Sequence, residues 1–179
     1  SFRKRIEENM TSNLVLTVIG DDKPGLVEAL SVAIANNSGN WLESSMAQLA
    51  GKFAGILRVS VPESRADSLI SDLNGLSDHL KVVVEKAVEN GEEGRSQTAE
   101  LSLVGNDRPG IIREISKTLS LMSVNVEQLT TECEPAPMSS DLLFKAKASL
   151  NIPADTQIEE LQSRLEQLAD DLIVEIDLS

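Results

Sequence analysis

Apolar and polar residues alternate along Leu14–Ile19, which places Leu14, Leu16 and Val18 on one face of a strand. The period then changes to that of a helix: Leu26, Leu30, Ala33 and Ile34 form one stripe, and Asn37-Ser38-Gly39 ends it. Asn40-Trp41-Leu42-Glu43 opens a second strand, and Ala50-Gly51-Lys52 reads as a short hairpin loop. A third strand carries Phe53, Leu57, Val59 and Val61 and stops at Pro62, which cannot donate to a ladder. Leu69, Ile70, Leu73 and Leu76 make a second helical stripe, and Leu80–Glu85 a fourth strand.

The pattern then recurs. Ala99, Leu101 and Leu103 stand 85 positions beyond Leu14, Leu16 and Val18. A helical stripe of Ile111, Ile115, Leu119 and Met122 follows, and Asn125-Val126-Glu127-Gln128 opens the next strand. From the third strand (Phe144, Ala148, Leu150, Ile152, then Pro153) the spacing is 91, so six residues enter at the longer hairpin loop Glu134–Ser139. Ile158, Leu161, Leu165 and Leu168 form the last helix and Leu172–Asp177 the last strand. Twice over, the order is strand-helix-strand-strand-helix-strand. This predicts an α+β chain of two tandem ferredoxin-like βαββαβ domains, each with a four-stranded antiparallel sheet covered by two helices on one face. The expected boundaries are an N-terminal tail over 1–12, a first domain over 13–89, a charged linker over 90–97 and a second domain over 98–179. The tail reads as frayed or as a short helix. On the helix-free face the second copy carries Glu100, Ser102 and Val104. The first is expected to present Val15, Ile19 and Trp41, which need company from the other domain or another chain and point to a homo-oligomer.

Composition narrows the function classes. Hydrophobic residues are 41% of 179 and aromatics only 2%, so both cores must be built from Leu, Ile, Val and Ala. A formal net charge of −13 opposes direct binding to nucleic acid. The lone Cys133 excludes an internal disulfide framework and a cysteine metal cluster. No apolar run approaches the roughly 18 residues of a membrane helix, and Ser1–Met10 lacks the apolar core of a signal peptide. The expectation is a cytoplasmic protein without membrane contact.

Catalysis is poorly provided for. His79, the single histidine, has no nucleophile to serve and reads as a surface residue at the start of a strand. Cys133, between Glu132 and Glu134, reads as an inert thiol. Asp21/Asp22 and Asp170/Asp171 lack further metal ligands, Trp41 reads as a packing residue, and no cofactor is implied. The doubled turn is different: Gly20-Asp21-Asp22-Lys23-Pro24-Gly25-Leu26 and Gly105-Asn106-Asp107-Arg108-Pro109-Gly110-Ile111 each join a strand to a helix. The first N–H groups of a helix, here Gly25 and Leu26, have no internal partners and attract an anion. Asn40 and Asn125, opening the next strands, are expected to come up beside these corners. Backbone donors for a carboxylate, with an amide and the acids Asp21, Asp22 and Asp107 for an ammonium, describe a site for a free amino acid. Competing readings are a turn whose Asp caps its own helix and an Asn that only tolerates a turn. At the level of function the alternatives are an interaction module without ligand and an acylphosphatase-type hydrolase holding phosphate on Lys23 or Arg108. The acids in the turn oppose the last.

With these residues the chain resembles tandem ACT-domain proteins over nearly its whole length, from about Leu14 to Leu178, and is similar to the glycine cleavage system transcriptional repressor group. The resemblance implies a non-catalytic regulator that senses a small amino acid, glycine or serine, and controls a partner protein, transcription of glycine cleavage included, by protein contact. It places the ligand at a domain–domain interface, on Asp22, Lys23, Pro24, Gly25, Leu26 and Asn40 and on Asp107, Arg108, Pro109, Gly110, Ile111 and Asn125.

Overall fold

The computed structural model describes residue 2, residues 10–88 and residues 95–179. The chain divides into two compact units, Ser1–Glu89 and Asn90–Ser179. The first unit runs β1 (Thr11–Asp21), α1 (Leu26–Asn36), β2 (Asn40–Leu49), β3 (Lys52–Pro62), a single 3₁₀ turn (Glu63–Arg65), α2 (Ala66–Asn74) and β4 (Leu80–Lys86). The second runs β5 (Ser96–Asn106), α3 (Ile111–Leu121), β6 (Asn125–Pro135), β7 (Leu142–Pro153), α4 (Ile158–Glu166) and β8 (Ile173–Leu178). The sheets have the orders β2-β3-β1-β4 and β6-β7-β5-β8, and every pairing is antiparallel. These are two ferredoxin-like βαββαβ units, as the repeat predicts.

Register decides which residues make each core. In the first sheet Leu14 pairs with Val59 and Leu16 with Leu57, and all four are buried with Leu26, Leu30, Ile34, Leu69 and Leu73 from the helices. In the second, Ala99 pairs with Leu150 and Leu101 with Ala148, beneath Ile111, Ile115, Leu119, Leu161 and Leu165. One buried polar group ties two elements of the first unit together. Asn37, just past α1, donates from Nδ2 to the Ala33 carbonyl (2.7 Å) and to Asp72 Oδ2 on α2 (2.8 Å). Beyond it the chain turns through Ser38 at φ 58°, and the second unit repeats that conformation at Ser123, φ 57°.

Three expectations need correction. Thr11 and Ser12, read as tail, belong to β1, and Ser96 and Gln97, read as linker, belong to β5. Their ladder partners Pro62, Val61, Pro153 and Ile152 extend the strands past the point where alternation is legible. Trp41 is not on the helix-free face: it pairs with Val59, on the helix side, and packs against the core. A bulge at Leu42, between Trp41 and Glu43, shifts the register there, so simple alternation from Asn40 onward mislays one face. The remaining tail and linker residues expected at 1, 3–9 and 90–94 lie outside the described residues.

Candidate functional site

Both strand-to-helix corners are built alike. Gly25 has φ 95° and Gly110 φ 84°, a left-handed conformation that glycine adopts without the penalty other residues carry. A Cβ placed on either would have no other group within 4 Å, so the corners are open to solvent. Neither helix has a side-chain cap, and the reading in which Asp closes its own helix does not hold. The motif's first glycine has a different task. A Cβ on Gly20 would lie 2.3 Å from the His79 carbonyl oxygen, so only glycine lets the chain before β4 lie against the end of β1.

The two corners differ in what their polar groups do. At the first, Ala29 N–H closes on the Gly25 carbonyl (2.9 Å), and among the described residues Leu26 N–H has no backbone acceptor. Lys23 Nζ meets His79 Nδ1 at 2.5 Å, and Lys52 pairs with Asp21. Lys52 holds the exposed Asp21 carboxyl below the usual carboxylate range, first by its hydrogen bond and then by its charge. Beside this corner lies an open groove of about 390 Å³, whose walls include Ile19, Lys52, Lys81, Asp21, Asp78 and His79. At the second corner, Ile111 N–H donates to the Arg108 carbonyl (3.3 Å). The Arg108 guanidinium pairs with Glu114 and donates to the Leu168 carbonyl (3.2 Å), while Asn106 N–H donates to Asp171 Oδ2 (2.6 Å).

Asp22, Lys23, Pro24, Gly25 and Leu26 are therefore brought together, as are Asp107, Arg108, Pro109, Gly110 and Ile111. Asn40 and Asn125 are not with them. Asn40 pairs with Ser60, which in turn faces Asn13, whereas the first corner leaves the sheet at Asp21, opposite Lys52. Asn125 pairs with Asn151 in line with Thr98, at the far end of β5 from Asn106. Eight residues of strand separate the two rows in each sheet, roughly 26 Å at the rise of an extended chain. The reason is the crossover itself. A helix returning antiparallel to its strand delivers the next strand to the start of the first, not to its end.

His79 is the group at the first corner that sequence reasoning left on the surface. The signal for it was Gly20, since a glycine late in a strand marks a close backbone approach. Cys133 is exposed on β6, and its thiol is raised above its ordinary range by partial desolvation and then by the Asp107 carboxylate. The inert reading of this cysteine fits that direction, but Asp107 is the acid responsible. Among the described residues no three metal-ligating side chains cluster, and no helix is long and apolar enough to cross a membrane.

Residues 12–86 match the family model of the ACT domain. A UPF0237 protein of Methanocaldococcus jannaschii is 32% identical over 75 residues, which are 41% of this chain and 83% of that protein. Among solved structures, a protein of unknown function from Galdieria sulphuraria is 27% identical and covers 95% of this chain and 99% of its own, with a TM-score of 0.84. A protein named as a candidate glycine cleavage system transcriptional repressor is 15% identical and covers 96% of this chain and 100% of its own, with a TM-score of 0.68, a likeness of fold. The doubled corner, the doubled βαββαβ order and these matches agree: the chain belongs to the ACT-domain family and carries its fold twice in tandem.

Proposed function

We propose that this chain is a non-catalytic regulatory protein that receives a small amino acid, glycine or serine, at its first corner and passes that state to a partner protein by contact. The observation that carries this reading is the open left-handed Gly25, with Lys23 beside it and a Leu26 N–H behind it that has no backbone acceptor among the described residues. Backbone N–H groups at a helix start, reinforced by an ammonium, suit a ligand carboxylate. Glycine or serine is the ligand that the resemblance to the glycine cleavage repressor group implies.

Asn40 cannot complete this site within its own unit, because the strand register holds it at the other end of the sheet. Its amide would reach a corner from a second copy of the chain, which links binding to self-association. The helix-free face of the first unit suits such an assembly. Ile19, Ile56 and Val83 there are 47%, 56% and 44% exposed. The charges around them balance, with Lys52, Arg58 and Lys81 against Asp21, Glu43 and Glu85, so a second copy of this acidic chain meets no excess of like charge.

Calorimetric titration with the common amino acids tests the proposal. Glycine or L-serine should bind the wild type, and Gly25→Val should weaken binding at least tenfold by forcing a branched residue into φ 95°. Lys23→Met, which leaves the backbone alone, should weaken it as well. If no amino acid binds the wild type at millimolar concentration, the corner is architecture only.

A further inference from the structure

We infer that the second corner is closed by carboxylates of its own, so that each chain takes one ligand and not two. The word ligand rests on the sensing reading above; the closure does not. Three of the donors that an incoming carboxylate would meet at the second corner are already engaged. Ile111 N–H is turned onto the Arg108 carbonyl (3.3 Å), Arg108 is held by Glu114 and the Leu168 carbonyl (3.2 Å), and Asn106 N–H is held by Asp171 Oδ2 (2.6 Å).

The first corner lacks the residues that do this. Ala29 stands 85 positions before Glu114, and His79 stands directly before Leu80 as Asp171 does before Leu172. A neutral methyl and an imidazole thus replace the two carboxylates, and Lys23 is left against His79 Nδ1. Glu114 and Asp171 thus hold groups of the second corner that have no counterpart carboxylate holding them in the first. A free carboxylate approaching the second corner meets Glu114 and Asp171 at close range, and it must displace charge-assisted hydrogen bonds that are intramolecular and carry no association cost. Duplication of the motif does not duplicate the site.

Two measurements separate this inference from the reading beneath it. With glycine and L-serine as probes, titration should give one ligand per wild-type chain. The double variant Glu114→Ala/Asp171→His, which gives the second corner the first corner's side chains at these two positions, should give two. Two per wild-type chain would overturn the inference, as would a double variant that stays at one. Without any ligand, amide hydrogen exchange at Asn106 should accelerate at least tenfold in Asp171→Ala and less in the isosteric Asp171→Asn, with the β5–β7 ladder still protected. An unchanged Asn106 rate in both overturns the closure. If neither amino acid binds while the exchange result holds, the sensing function falls and the closed corner stands.

Discussion

Asn37 shows how one polar residue locks a junction between elements. It is 1% exposed and donates both to its own helix and to Asp72 on the neighbouring one. Removing a buried hydrogen-bonding group costs about 1–3 kcal/mol, and for a unit of this size 1 kcal/mol lowers Tm by roughly 4–8 °C. Asn37→Ala should therefore lower the melting temperature of the first unit by several degrees in a calorimetric scan, whereas Asn36→Ala, one position earlier and exposed, should not. Cys133 offers a test at a second residue. Desolvation and Asp107 both disfavour its thiolate, so alkylation by iodoacetamide at pH 8 should be slower than for a free cysteine. Asp107→Asn removes the negative charge that raises the thiol, so the pH profile of alkylation should move to lower pH. An unmoved profile would show that Asp107 does not act on the thiol.

At the scale of elements, each sheet has a protected centre and exposed flanks. β3 is buried along one face through Leu57, Val59 and Val61, with β1 on one side and β2 on the other. Every residue of β6 but one is exposed, because it is the outermost strand of its sheet. Leu57→Ala, in the middle of the first core, should cost about 2–5 kcal/mol by cavity formation, read as a lower midpoint in urea denaturation with little change in slope. Thr131→Ala on β6 should leave that midpoint within about 0.5 kcal/mol of wild type. The two hairpins divide in the same way. The β2–β3 hairpin closes through Ala50 and Gly51, both at positive φ, which is the tight two-residue geometry, while the β6–β7 connection is longer and places Met138 fully in solvent. The six added residues sit where a sheet tolerates them, at a loop tip.

Over the whole molecule, the two units share a topology but not a surface. On the helix-free face of the first sheet the central rows are apolar, with Val15, Ile19, Ile56 and Val83. The matching face of the second carries Glu100, Ser102, Lys145, Lys147 and Glu175 around Val104 and Ile173. Self-association should accordingly depend chiefly on the first unit. Ile56→Lys, at an exposed position, should lower the sedimentation-derived mass toward that of one chain while leaving the melting temperature nearly unchanged. Glu100→Lys in the second unit should leave the mass as in wild type. A wild type that sediments as a single chain at every concentration would remove the proposed route by which Asn40 reaches a corner.

Much of this molecule is determined by short-range pattern. Alternation along Leu14–Ile19, the stripe from Leu26 to Ile34 and the prolines at Pro62 and Pro153 specify elements because strand and helix periods are properties of neighbouring residues. The recurrence at 85 positions then specifies two copies of one fold. What lies in or beside a corner depends instead on register and crossover, which join residues far apart in the chain. Leu42 inserts one residue and sends Trp41 to the helix side. The path of α1 carries Asn40 away from Gly25, and the close approach at Gly20 brings in His79 from 59 positions later. The corners read alike as sequence apart from Asp21 against Asn106, and the carboxylates that the second gains, Glu114 and Asp171, lie outside the motif. Only the folded chain brings them to it.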